Sequence, residues 1–231
     1  MKVRFTMFAA LLVCALAAPA QAVGPALDWD PAYFWEPGAT PTNSTPGSEM
    51  KIVGIVSAFG APLSFLDAND PTKDYTFYIF GLISNGTTFV GPPGLRLFTT
   101  TYAGGIIQVF EGTPRDAAFD PNPPNSTVPS TFTNGTLILS GNVSGFYTQT
   151  NDFTTFMTGN AEGNILWTGG TLFNAVSPGG QPCPSLFTGG LTWYPPVMIT
   201  GYLFRHDGKI DIDCPTPAGK STWGGIKSLY R

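Results

Sequence analysis

Thr136-Leu-Ile-Leu-Ser-Gly-Asn-Val-Ser144 is the stretch that decides the fold class. Leu137, Leu139 and Val143 fall on one face with Gly141, and Thr136, Ser140, Asn142 and Ser144 on the other. A period of two with one apolar side reads as a half-buried strand. The same grammar spreads outward along the chain. Lys51–Phe59 is apolar on both faces, as in a strand covered on two sides. Tyr75–Ile83 is dense in aromatic and β-branched residues, which favour strands. Further candidates are Leu95–Tyr102, Ile106–Glu111, Phe153–Thr158, Gly163–Trp167, Thr171–Val176, Leu191–Tyr194, Val197–Arg205 and Lys209–Ile212. Asn85-Gly86, Gly104-Gly105 and Asp207-Gly208 are hairpin-type dipeptides between runs. No helical stripe of useful length occurs beyond the first 22 residues. The expectation is an all-β, single-domain antiparallel β-sandwich or closed β-barrel with an irregular, Pro-rich N-terminal segment.

Residues 1–22 read as a secretion signal. Lys2 and Arg4 precede the apolar run Phe8–Ala18, and Ala20-Gln21-Ala22 is a small-x-small cleavage site. That run is shorter than the ~20 residues a bilayer span needs. Residues 23–48 are broken by five prolines and read as irregular, ending in a polar linker over 39–48; residues 49–231 then form the β domain. The expected location is outside the cytoplasm: secreted, periplasmic or on the cell surface. A membrane-spanning β-barrel is the topological rival, since alternating strands would also suit one.

Charged residues make up 11 % of the 231, and the formal net charge is −4. Scattered Lys and Arg on an acidic chain leave no footprint for nucleic acid. Removal of the signal takes Cys14 with it and leaves Cys183 and Cys214. In an oxidising compartment these two predict one disulfide.

Catalytic groups are few. His206 is the sole histidine, and Arg205-His206-Asp207-Gly208-Lys209 reads as an exposed hairpin tip. No Gly-x-Ser-x-Gly nucleophile elbow is present. Glu49, Glu111 and Glu162 lie in or beside strands, but nothing in their spacing brings a catalytic pair together. Asp67, Asn69, Asp70 and Asp74 gather oxygen atoms in one short loop, the better of two candidates for calcium, with Asp207, Asp211 and Asp213 the other; both depart from EF-hand spacing. No other cofactor is expected. The cluster Trp29, Tyr33, Phe34 and Trp35 has two readings: rings exposed to a sugar or apolar ligand, or rings buried as a cap on the β domain. Asn-x-Ser/Thr sequons stand at Asn43, Asn85, Asn125, Asn134 and Asn142. An aromatic before paired glycines recurs at Tyr102, Trp167, Phe187 and Trp223, which reads as repeated turn chemistry.

The functional expectation is a non-catalytic secreted binding domain for a glycan, a small apolar ligand or a partner protein. A carboxylate-dependent extracellular hydrolase or lyase is the first alternative, and a structural surface or matrix component the second.

Overall fold

The computed structural model describes residues 24–119, 130–152 and 156–214. The signal segment 1–22, the sequon at Asn125, the start of the run at Phe153 and the motif at Trp223 lie outside the described residues.

The chain closes into an antiparallel up-and-down barrel. Ten strands, β1 (Leu27–Trp35), β2 (Glu49–Ile55), β3 (Ala58–Phe59), β4 (Asp74–Val90), β5 (Leu97–Ala103), β6 (Ile106–Gly112), β7 (Thr136–Asn151), β8 (Met157–Gly169), β9 (Ser185–Trp193) and β10 (Phe204–Ile212), occupy eight positions around it. β2 and β3 share one position beside β1, and β5 and β6 share one between β4 and β7. Pairing of β1 with β10, from Leu27↔Ile210 to Phe34↔Phe204, closes the ring. Of the two expected architectures, the barrel is the one formed. Closure satisfies the edge groups of the first and last strands, which an open sheet would leave bare.

Three expected hairpins are not hairpins. Asn85-Gly86 sits inside β4, where the register with β5 shifts between Ser84 and Thr87. At Gly104-Gly105 the chain does not reverse: β5 and β6 run on in the same direction, both antiparallel to β4 and β7. The positive φ of both glycines, 70° and 118°, makes this break, and a Cβ on Gly105 would meet Leu82. Asp207-Gly208 lies within β10. Thr171–Val176 is also not a strand; its last four residues, Phe173–Val176, form a helical turn.

The N-terminal segment differs from its expectation as well. Leu27–Trp35 is a full barrel strand bonded on both edges, and its proline is absorbed by a register shift between Trp29 and Ala32. Residues 37–48 act as a strap across one barrel end rather than a linker. The Thr150 hydroxyl donates to the Pro41 carbonyl (2.9 Å), and Gly47 N–H donates to Ser84 O (2.8 Å).

Inside the barrel, Trp29, Phe34, Phe77, Phe146, Trp167 and Phe187 are fully buried among aliphatic side chains. A smaller core lies outside the wall over β1, β2 and β4, where Tyr33, Val53, Phe132 and Tyr202 pack together. Elsewhere the outward face is mixed: Asn142, Ser144 and Gln149 on β7, Thr158, Asn160 and Glu162 on β8, and Thr188 and Thr192 on β9 are polar, whereas Ile83, Phe89 and Val90 of β4 and Leu166 of β8 are exposed apolar residues. No helix among the described residues is long and apolar enough to cross a membrane.

Candidate functional site

Trp29, the first residue of the aromatic cluster, points into the barrel and is wholly enclosed. Its indole N–H donates to His206 Nδ1 (3.0 Å). Phe34 is equally buried beside them, and Tyr33 is buried in the outer core against Tyr202 and Phe119. Trp35 is half-buried under the Lys51 ammonium, 5.4 Å from the ring centroid. The rings of Trp29, Tyr33 and Phe34 therefore serve packing and offer no surface to a ligand.

His206 is not at a loop tip. It lies mid-strand in β10, wholly buried, with its imidazole stacked 5.1 Å from Phe187. Gly208 and Gly189 face each other across β10 and β9 and leave the space it fills; a Cβ on Gly189 would stand 2.6 Å from His206 Nε2. Burial pushes the imidazole down to about 3, opposed in part by the Gly189 backbone. A neutral ring so enclosed is a residue of the core.

The loop carboxylates do not converge. Asp67 accepts Asn69 N–H (2.9 Å), and Asp70 accepts both Thr72 N–H (2.8 Å) and its hydroxyl (2.7 Å). These are ordinary Asx turns. Asp74 is buried and accepts the N–H groups of Asp116 and Ala117 on another segment (2.9 and 2.7 Å). Among the described residues no group of three His, Cys, Asp or Glu side chains is placed to share an ion.

The strand carboxylates are held separately. Glu49 accepts Gly81 N–H (2.8 Å). Glu111 accepts from Lys73 and Tyr75, each at 2.9 Å, and the Lys73 bond first of all holds its carboxyl below the usual range. Glu162 accepts the Tyr147 hydroxyl (3.0 Å). Cys183 and Cys214 are joined as expected, tying the start of β9 to the end of β10.

A carboxylate missed by sequence reading is buried at the strapped end. Glu36 accepts the hydroxyls of Ser44 and Tyr102, the latter at 3.0 Å, and the Ser84 hydroxyl is bonded in turn to Ser44 Oγ, which accepts. Ser44 N–H donates to Thr87 Oγ1 (2.8 Å), and Thr87 pairs with Thr100 (2.7 Å). Burial and then the Glu36 charge raise the Tyr102 phenol far above its ordinary value. The network pins the strap over the barrel mouth, so this end of the lumen is occupied by the protein's own groups.

What remains open is the outer wall. Where β8 and β9 reach the strapped end, Phe156 and Tyr194 flank a groove of about 430 Å³ floored by Thr158 and Thr192, which face each other in register. The two rings are 41 % and 42 % exposed, so each retains surface for a ligand. Further along β9 and β10 a second depression of about 320 Å³ is rimmed by Asp28, Thr188, Asp207 and Lys209. A larger hollow of about 530 Å³ at the disulfide end, beside Pro62 and Cys214, has no aromatic lining. Sequence reading missed the groove because its rings come from two connections, one beyond each strand. The available signal was Thr192 and Tyr194 alternating with Trp193.

Comparison with known protein families, curated proteins and solved structures gave no match for this chain.

Proposed function

We propose that this protein is an exported, non-catalytic binding barrel that takes a sugar ring in the groove between Phe156 and Tyr194. The observation that carries the reading is a division of labour among aromatics. The barrel interior is filled by Trp29, Phe34, Phe77, Phe146 and Phe187, whereas Phe156 and Tyr194, beside Thr158 and Thr192 at the rim, are partly exposed. A filled eight-stranded barrel cannot carry a ligand in its lumen as a hollow one does. An aromatic face suits the C–H surface of a pyranose, and flanking hydroxyls suit its O–H groups. A purely apolar ligand would leave Thr158 and Thr192 without exchange partners for the water they give up.

The test is titration of the protein with neutral mono- and disaccharides, followed by calorimetry. Binding in the millimolar to micromolar range, weakened at least tenfold in Phe156→Ala and in Tyr194→Ala, supports the reading. Equal binding by wild type and both variants contradicts it, as does the absence of binding to any sugar.

A further inference from the structure

We infer that the aromatic groove is the entrance of a longer channel along the outer face of β9, which holds an extended neutral oligosaccharide. This rests on the sugar-binding reading of the groove. Strand alternation puts Tyr194, Thr192, Gly190 and Thr188 on the same outward side, a run of about 20 Å at the strand rise. Thr192 floors the aromatic groove and Thr188 rims the second depression, so the two concavities lie on one line. Gly190 lies between them.

Longer side chains stand on both sides of this small-residue floor. Register places Thr188 beside Glu162 of β8 and Lys209 of β10. It places Gly190 beside Asn160 and Asp207, and Thr192 beside Thr158 and Arg205. The floor is therefore walled by amide, carboxylate and hydroxyl groups together with the two cations Lys209 and Arg205.

Gly190 is the decisive residue. Its neighbour Gly189 is imposed by packing, because a Cβ there would collide with Gly208 and His206. Gly190 is under no such demand. It has no positive φ, and a Cβ on it would have only the Asp207 carbonyl near, at 4.0 Å. A glycine inside a strand is less favourable than alanine, because it loses more backbone freedom on folding. Where neither backbone nor packing requires it, close approach of a ligand is the remaining physical reason.

The charges identify the occupant. Arg205 is paired with Asp30, and Lys209 with Asp211 at 2.8 Å. Asp207 is exposed on β10 and takes part in none of the ion pairs formed among the described residues. Glu162 takes one phenol and keeps acceptor capacity. The channel thus presents surplus acceptors and cations already neutralised. That suits a chain rich in O–H donors with no charge of its own, and it repels phosphate- or carboxylate-bearing polymers.

Calorimetry with gluco-, manno-, xylo- and N-acetylglucosamine oligomers of one to six units tests this. Wild-type affinity in one series rises at least tenfold between two and six units. Gly190→Gln, whose side chain enters the open space above the floor, removes that rise and leaves binding of the shortest sugars unchanged. Asn160→Ala and Asp207→Asn lower six-unit affinity severalfold, which keeps the test valid if Gly190→Gln folds poorly. Affinity independent of length, or six-unit binding equal in wild type and all three variants, overturns the channel while the aromatic groove stands. Binding to no sugar of any length, or to extended peptides only, overturns both.

Discussion

Trp29 Nε1 and His206 Nδ1 meet at 3.0 Å in the centre of the barrel, joining residues 177 positions apart. The bond crosses the seam where β1 and β10 close the ring. It fixes the imidazole as an acceptor at Nδ1, so the ring is neutral with its proton on Nε2. The only histidine is thereby a closure element.

His206 makes stability fall with acid. Its folded value of about 3 lies below the unfolded value of 6.5. The unfolded chain therefore binds a proton first as pH drops, and stability present above pH 6.5 is lost progressively down to about pH 3. Between pH 6.5 and 4 the loss from this group is about 3 kcal/mol. Urea unfolding across that range shows the wild-type midpoint falling more steeply than that of His206→Gln. Parallel curves would contradict the assignment.

The adjacent glycines of β9 respond oppositely to one methyl group. Gly189→Ala forces its Cβ against Gly208 and His206 and costs roughly 2 kcal/mol, in the range of core overpacking. Gly190→Ala is neutral or stabilises by up to about 1 kcal/mol. Thermal melts of the two variants check this, with a lowered midpoint for the first and an unchanged or raised one for the second.

The strap depends on a buried carboxylate. Tyr102→Phe removes a hydroxyl donated to Glu36, and Ser44→Ala removes two bonds at once. Each change costs about 1–3 kcal/mol by leaving a buried acceptor short of a partner. Limited proteolysis then cuts within residues 37–48 of the variants before the wild type.

Cys183 and Cys214 are 31 residues apart in sequence. Reduction or Cys183→Ser/Cys214→Ser lowers stability by about 2–4 kcal/mol, the typical contribution of a native disulfide. Denaturant melts with and without reductant measure it, and coincident curves would show that the bridge adds nothing.

The barrel was legible where strands alternate cleanly, as at Leu137–Val143 with its single apolar face. It was obscured where glycine serves a strand instead of a turn. Asn85-Gly86, Gly104-Gly105 and Asp207-Gly208 have the composition of hairpin tips, but in the fold they accommodate a bulge, a strand break and an enclosed imidazole. His206 was hidden by its charged neighbours Arg205, Asp207 and Lys209. The opposite phase, Phe204-His206-Gly208-Ile210-Ile212, is the inward face of one strand and could have revealed it. The aromatic cluster at Trp29–Trp35 was visible as aromatic, but which rings point inward depends on pairing with β2 and β10. The channel along β9 could not be read at all, because it exists only through the register that sets Asn160, Gly190 and Asp207 side by side.

Nuclear magnetic resonance of the protein titrated with the tightest-binding six-unit oligosaccharide tests most directly whether ligand is taken on the outer wall of a filled barrel. The expected shifts are at the amides of Thr158, Asn160, Thr188, Gly190 and Thr192, with the Trp29 indole and the His206 ring unmoved. Large shifts of Trp29 and His206, with the outer amides of β8 and β9 unchanged, would place the ligand in the lumen and contradict the assignment.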